Sequence, residues 1–131
     1  RQCLISPSDF GFHNILSRKK DKRLVFIDFE YAGWDDPAKL ICDFFCQVEV
    51  PVPMTWFAPV VKAVTETVPA EPDFEKRLDI LMTACRVKWC CIMLNVFLNT
   101  EKQRKKFAGA GADIKTLQLK KAQNYAQKFL F

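Results

Sequence analysis

The sequence has few glycines, no C-x-x-C pair of cysteines and no long apolar run. Each of these features excludes a class of protein. Four glycines among 131 residues leave no Gly-rich loop of the kind that holds nucleotide phosphates. Because the six cysteines lack paired spacing, we expect small reduced core residues rather than a zinc site or a disulfide framework. No uninterrupted apolar run approaches the length of a membrane span, so no membrane partner is predicted.

The net charge is moderate. Twenty basic and fifteen acidic residues give a formal charge of +5, which is below the density typical of a dedicated nucleic-acid binder. Two basic runs, R-K-K-D-K-R and K-Q-R-K-K, contain no aromatic residues on which bases could stack. We therefore interpret them as a solvated loop and a helix terminus, and we predict no nucleic-acid partner.

Length and composition predict one folding unit. The chain is half hydrophobic, which is enough to bury one core. We find no internal repeat, no low-complexity tract and no long linker. We therefore expect residues 1–131 to form a single domain.

A short hairpin is predicted near the start of the chain. Residues 24–29 form an apolar run rich in β-branched and aromatic side chains, which is typical of a strand, and residues 14–16 begin another. The charged segment 17–23 between them suits a hairpin loop.

The remainder of the chain has helical patterns. Asp35 or Asp36 is expected to cap a helix whose first turn contains Pro37. Three further helices are predicted over residues 54–68, 73–98 and 114–129. The fold class is therefore α+β and predominantly α-helical.

Three polar residues near the predicted hairpin suit phosphoryl transfer. The run S-P-S-D-F-G-F-H-N places Asp9 five residues before Asn14, and Asp28 ends the apolar run L-V-F-I-D. A carboxylate can accept the proton of an attacking hydroxyl, while an amide and a second carboxylate supply hard oxygen ligands to magnesium. If Asn14 and Asp28 lie on neighbouring strands, one ion can reach both. The alternative is a capped turn and a strand-end carboxylate without catalytic function.

The segment from Asp9 to Asn14, with the later run I-D-F-E-Y-A-G-W-D-D-P-A-K-L-I-C-D-F-F, resembles the catalytic segment of the aminoglycoside phosphotransferase and choline kinase-like family. The resemblance covers residues 4–45, about a third of the chain. It implies a protein-kinase-like carboxyl-terminal lobe, in which a short catalytic β-hairpin precedes a helical bundle. It also implies that Asp9 is the catalytic base, that Asn14 and Asp28 bind magnesium, and that Asp43 is a structural aspartate supporting the Asp9 loop.

The resemblance further implies an activity and two cofactors. A phosphoryl group would pass from ATP, with Mg²⁺, to a hydroxyl of a small molecule such as an amino sugar or a choline-like alcohol, in the cytoplasm where ATP is available. The family commonly has His-Gly before the catalytic aspartate, whereas this chain has Pro7 and Ser8. A Gly-rich loop and a strand lysine are also required, and neither precedes Asp9.

We therefore expect the chain to be the carboxyl-terminal lobe of a longer protein. Its amino-terminal nucleotide-binding lobe would then be its partner, and the fragment alone would be inactive. The alternative is a non-catalytic kinase-like scaffold that binds a nucleotide or a partner protein.

Other residues allow two interpretations. Trp34 and Asp35 suit a pocket for a cationic acceptor, because aromatic faces and carboxylates attract ammonium groups, but helix capping and core packing would also explain them. Trp56 and Trp89 could form an aromatic wall, although their helical spacing among apolar residues predicts core positions. His13 is expected to alternate away from the predicted magnesium ligand beside it and to pack in a core or loop.

Overall fold

The computed structural model describes residues 2–98 and 113–131. The structure is α+β and mostly helical, so the predicted α+β, predominantly α-helical class is confirmed, while the kinase-like lobe stays a prediction. The chain divides into two compact units, Arg1–Met82 and Thr83–Phe131. The expectation of a single domain stays a prediction. The basic run K-Q-R-K-K lies outside the described residues.

Four short strands form two antiparallel pairs in the first unit. Strand β1 (Leu4–Ser6) pairs with β4 (Gly33–Asp35), and Ile5 lies opposite Trp34. Strand β2 (Ile15–Ser17) pairs with β3 (Leu24–Phe26). The second pair is the hairpin that the sequence predicts, and its charged loop is exposed as expected.

The hairpin is shorter than its sequence pattern. Asn14 lies in a 3₁₀ turn, Phe12–Asn14, before β2 begins, and Asp28 follows the end of β3. The backbone N–H of Ile27 nevertheless donates a hydrogen bond to the Asn14 carbonyl over 3.0 Å. The two chain segments that carry the predicted magnesium ligands are therefore adjacent.

Helix α1 (Pro37–Cys46) begins as the sequence predicts. The Asp36 side chain accepts a hydrogen bond from the backbone N–H of Ala38 over 2.8 Å, and Pro37 occupies the first turn. This cap satisfies one of the amide groups that a helix leaves unpaired at its start. Of the two carboxylates that could cap the helix, Asp36 does so.

The other helices follow the predicted ranges within a few residues. Helix α2 (Phe57–Thr67) is preceded by a 3₁₀ turn, Met54–Trp56. Helix α3 (Phe74–Leu94) ends in a 3₁₀ turn, Asn95–Phe97. Helix α4 (Asp113–Phe129) closes the described part of the chain.

Helix α1 is the centre of the first unit because most of its surface is buried. The rings of Phe45 and Phe57 meet edge to face at 5.2 Å, which joins α1 to α2. Toward α3, the thiol of Cys42 donates to the Leu78 carbonyl over 3.5 Å. The buried apolar residues of this unit are Ala38, Ile41, Cys42, Phe44, Phe45, Cys46, Val52, Phe74, Leu78 and Met82.

The cysteines follow the sequence prediction in part. No disulfide joins any of the six, and Cys42, Cys46 and Cys85 are buried as expected of core residues. Cys3 and Cys91, however, are exposed. Cys90 is half-buried, and it differs from Cys91 because adjacent helical residues point to different faces.

A buried arginine joins the start of α1 to the start of α3. Arg77 is 9% exposed, and its Nε lies 3.1 Å from Oδ2 of Asp36. Its Nη1 lies 3.1 Å from Oε2 of Glu71 and also contacts Asp73. The backbone N–H of Gln2 donates to Glu71 over 2.9 Å. Three carboxylates therefore surround one guanidinium, and one of them also caps α1.

In the second unit, α4 contacts the end of α3. The guanidinium of Arg86 lies 5.2 Å from the centre of the Phe129 ring, a cation–π distance. The buried apolar residues of this unit are Cys85, Trp89, Met93, Val96 and Ala122. Trp89 is thus in a core position, as its helical spacing predicts.

The segment Phe74–Phe97 is long and apolar enough to cross a membrane by length and composition, and 22% of its most apolar window is buried. Arg86 and Lys88 interrupt its apolar sequence. A core helix of a water-soluble protein can pass the same test, so the expectation of no membrane partner stays a prediction.

Candidate functional site

The loop that carries Asp9 begins with a tight turn after β1. Ser6 is buried, and its hydroxyl accepts a hydrogen bond from the backbone N–H of Ser8 over 3.0 Å. Ser8 has a φ angle of 69°, a left-handed conformation that non-glycine residues adopt at some energetic cost. The Ser6 hydroxyl therefore stabilises the turn at Pro7 and Ser8. The phosphotransferase family that the sequence resembles commonly has His-Gly at this position.

Asp9, His13 and Asn14 lie together at the end of this loop. The Nε2 atom of His13 is 3.2 Å from Oδ2 of Asp9, and because a carboxylate only accepts hydrogen bonds, Nε2 is the donor. The Asn14 side-chain amide donates to the Asp9 carbonyl over 3.0 Å and lies 3.5 Å from Oδ2. The predicted base and one predicted ligand are therefore held in one cluster.

His13 does not occupy the place that the strand pattern predicts. Because it lies in a 3₁₀ turn rather than on a strand, its ring does not alternate away from the neighbouring site residue. It reaches back to the Asp9 carboxylate instead. The two side chains are four residues apart in the sequence, and the turn at Phe12–Asn14 brings them together.

Gly11 makes room for the imidazole. A Cβ atom at this position would lie 2.6 Å from Nδ1 and 2.7 Å from Cε1 of His13, and 3.2 Å from Cγ of the buried Gln47. The φ angle of Gly11 is −179°, which any residue can adopt. Glycine is therefore required here for space rather than for backbone conformation.

Asp28 lies two residues beyond the end of β3 and has a φ angle of 65°. Aspartate is one of the few residues other than glycine that tolerate this left-handed region. Asp28 is exposed, and the residue before it is hydrogen-bonded to the Asn14 backbone. The carboxylate is thus accessible next to the Asp9 cluster.

The donor set fits magnesium only together with a nucleotide. Within residues 2–98 and 113–131, no group of three or more His, Cys, Asp or Glu side chains is arranged to hold a metal ion. Mg²⁺, however, is usually bound by one or two carboxylates together with substrate phosphates and water. Because the amide N of Asn14 is the atom that donates to Asp9, its Oδ1 and the Asp28 carboxylate are the oxygens that would hold the ion.

Asp43 is buried in α1 and pairs with Lys39. The lysine Nζ lies 2.9 Å from Oδ2 of Asp43 and 2.8 Å from Oδ2 of Asp35. Partial burial lowers the pKa of Lys39, but its hydrogen bonds to both carboxylates outweigh that effect and hold the pKa above its usual value. One charged lysine is thus shared by two aspartates and offsets one of their two negative charges. The predicted support of the Asp9 loop by Asp43 stays a prediction.

Trp34 and Asp35 border a small cleft. The volume is about 130 Å³, and the lining also includes Ser8, Tyr31, Gly33 and Lys39. Trp34 is 77% exposed, so core packing does not explain it. Lys39 in the same lining is ion-paired with Asp35, so the cleft carries no excess positive charge, and the predicted acceptor role of Trp34 and Asp35 stays a prediction. The volume is below the range of about 300 to 1,000 Å³ that is typical of ligand sites.

Comparison with protein-family models, with curated proteins and with solved structures found no match. The phosphotransferase assignment therefore depends on the site residues themselves.

A second concave site lies beside Phe12, and the sequence analysis named only Trp56 of its lining, as a candidate member of an aromatic wall. Its volume is about 300 Å³, and Phe12, Phe44, Val52, Pro53, Trp56 and Val60 line it. Trp56 is 59% exposed, so the prediction that it lies in the core is wrong. Trp56 ends a short 3₁₀ turn before α2, where helical spacing does not determine which side chains are buried.

The substitution Gly11→Ala tests how tightly the His13 ring is held. We expect the added methyl group to displace the imidazole from Asp9 and to lower the free energy of unfolding by about 1 to 3 kcal/mol, the usual effect of overpacking. His13 is the only histidine, so its imidazole NMR resonances report the displacement directly.

Gly33→Ala is the matched control, because a Cβ atom there would meet nothing within 4 Å. It should leave the imidazole resonances and the stability unchanged. Unchanged resonances in the Gly11→Ala protein would show that the ring is not confined against Gly11.

Proposed function

We propose that this chain is the catalytic lobe of an ATP- and magnesium-dependent phosphotransferase that acts on a hydroxyl of a small molecule. The observation that carries the proposal is the meeting of Asp9, His13 and Asn14 in one cluster, with the Asp28 segment hydrogen-bonded to Asn14. A strand-end carboxylate without function would not require these segments to meet. The left-handed conformations of Ser8 and Asp28 add support, since such strain concentrates at functional sites.

Asp9 is the group that would take the proton of the acceptor. Its Oδ2 receives the hydrogen bond from His13, so we assign Oδ1 as the atom that accepts the hydroxyl proton. The side chain is 48% exposed, which leaves room for an acceptor to approach. His13 and Asn14 fix the carboxylate in one orientation, and such positioning supplies much of the rate enhancement in phosphoryl transfer.

The proposed reaction needs no reactant other than ATP and the acceptor alcohol. The acceptor oxygen forms a bond to the γ-phosphorus of ATP while the bond from that phosphorus to the β-phosphate oxygen breaks. ADP leaves, and the hydroxyl proton passes to Asp9. Bound magnesium would neutralise charge on the phosphate oxygens, and Asn14 and Asp28 are the residues that would hold it.

An additional nucleotide-binding lobe is part of the proposal, because this chain provides no Gly-rich loop. The hairpin supports this, since it exposes large apolar side chains on both strands, as is common at surfaces that bind another protein segment. These exposed residues are Leu16, Leu24, Val25 and Phe26. Such a lobe would supply the phosphate-binding loop and the lysine, and the assembled enzyme would work in the cytoplasm, where ATP is present.

The substitution Asp28→Ala tests the metal-binding part of the proposal. We expect magnesium-dependent binding of ATP by the full gene product to be lost, because one of two protein oxygen ligands is removed. Isothermal titration with ATP, in the presence and absence of Mg²⁺, measures the change.

Lys22→Ala is the matched control. Lys22 also has a positive φ angle, 58°, so alanine meets the same backbone cost there without touching the site. Nucleotide binding that is magnesium-dependent in the control and unchanged in Asp28→Ala would contradict the ligand assignment. Binding without turnover in the parent protein would instead favour a non-catalytic scaffold.

A further inference from the structure

The cavity beside Phe12 has a lining that differs from the remainder of the site. Its six lining residues are two phenylalanines, two valines, a proline and a tryptophan, none of which carries a charge. The rings of Phe12 and Phe44 meet edge to face at 5.3 Å, so this wall is held by contact with α1. A concave surface of this composition favours an apolar ligand group.

The cavity adjoins the proposed phosphotransferase site because Phe12 lies in the loop between Asp9 and Asn14. Phe12 begins the 3₁₀ turn that ends at Asn14, and His13 of the same turn contacts Asp9. An acceptor seated against the Phe12 ring would therefore lie beside the turn that carries the proposed ligand Asn14 and the histidine that contacts the proposed base.

We propose that this cavity binds the apolar group, best an aromatic ring, of the small-molecule alcohol that accepts the phosphoryl group. The acceptor role rests on the proposed function. The volume of about 300 Å³ is sufficient, since a dry apolar cavity of roughly 150 Å³ already holds benzene. A protein segment would need a larger surface, since stable protein interfaces bury about 800 Å² and about 20 residues on each partner, whereas six residues line this cavity.

The proposal gives different roles to Trp34 and Trp56, the two tryptophans of the first unit. Trp56 would stack on the aromatic group of the acceptor, while Trp34 lies in the smaller cleft with Lys39. Because no lining residue of the cavity beside Phe12 carries a charge, the preferred acceptor is an uncharged aromatic alcohol rather than a cationic one. Phenethyl alcohol and choline represent these two chemical classes.

The first test is titration of phenethyl alcohol into the chain, followed by NMR of the three tryptophan indoles. We expect the shift changes to centre on Trp56 and its cavity neighbours, with no saturable change on adding choline. Trp56→Ala should weaken binding about tenfold, since an aromatic contact contributes close to that factor. Because Trp56 is 59% exposed, this variant is not expected to disturb folding.

A filling variant provides the second arm. Val60→Phe places a ring in the cavity and should abolish binding, whereas Val87→Phe makes the same change at a position on α3 that is 47% exposed and should leave binding intact. Binding that survives Val60→Phe, or shift changes centred on Trp34, would overturn the assignment of the cavity.

Steady-state kinetics test whether the cavity binds the acceptor during the reaction. In the full gene product, Val60→Phe should raise the KM for phenethyl alcohol while the magnesium-dependent binding of ATP stays unchanged. An unchanged KM would overturn the acceptor role. Since the nucleotide test with Asp28→Ala does not involve the cavity, the two sets of results show separately whether the proposed function or the acceptor assignment fails.

Discussion

Replacing Asp9 with asparagine should reduce phosphoryl transfer by about 10² to 10⁴, the usual contribution of a positioned general base. The amide has nearly the same size and can still accept the hydrogen bond from His13, but it cannot take the acceptor proton. Binding of ATP should stay within about twofold of the wild type, because the base acts on the acceptor rather than on the nucleotide. Release of ADP by the full gene product and titration with ATP measure the two quantities.

Asp21→Asn is the matched control for this prediction. Asp21 makes an exposed ion pair with Arg18 in the hairpin loop, so the same chemical change there removes a carboxylate remote from the proposed base. Its turnover should equal that of the wild type. Equal turnover in Asp9→Asn would sink the assignment of the base.

Replacing Arg77 with methionine should lower the free energy of unfolding by about 3 kcal/mol or more. Methionine keeps most of the side-chain length but leaves the carboxylates of Asp36 and Glu71, only 18% and 25% exposed, without their cation. Since Asp36 also caps α1, the start of that helix should lose protection from hydrogen exchange. Urea denaturation near neutral pH measures the loss of stability.

Lys76→Met is the matched control, because Lys76 is the exposed neighbour of Arg77 on the same helix. Its stability should stay within about 0.5 kcal/mol of the wild type. A Lys76→Met protein destabilised as much as Arg77→Met would show that the effect belongs to the helix rather than to the buried charge cluster.

The stability provided by the Arg77 cluster should also depend on pH. The backbone N–H of Gln2 holds the pKa of Glu71 below its usual value, and the charge of Arg77 adds to this effect. A carboxylate whose pKa is lowered by folding stabilises the protein above its usual pKa and loses that contribution as the pH falls through the lowered value. The difference between wild type and Arg77→Met should therefore shrink in acid, and a difference that grows would contradict it.

The same cluster shows why part of the fold could not be predicted from the sequence. A helix cap at Asp35 or Asp36 was predicted because these residues directly precede Pro37, a relation between neighbours in the chain, and the structure shows that Asp36 is the cap. Its pairing with Arg77 spans 41 positions of the sequence, and no spacing rule connects residues that far apart. Only the packing of α1 against α3 brings them together.

In the candidate site, too, the residue types could be predicted from the sequence, whereas the contacts between distant residues could not. Asp9, Asn14 and Asp28 were recognisable because their residue types and spacing suit one kind of chemistry. Whether the side chains converge was not determined by that spacing, since Asn14 lies in a turn and Asp28 follows its strand. The hydrogen bond between the Ile27 and Asn14 backbones supplies the proximity that the predicted strand pair was expected to give.

The sequence by itself determined the mostly helical fold class, the hairpin, the cap of α1 and the residues suited to phosphoryl transfer, because short-range patterns encode each of them. The contact of His13 with Asp9 follows from the local turn at Phe12–Asn14. Tertiary structure alone decided that Arg77 lies among carboxylates and that Trp56 lines a cavity while Trp89 is buried. The two tryptophans have similar apolar neighbours in the sequence. Burial depends on which surfaces of the folded chain meet, and that depends on contacts between residues distant in sequence.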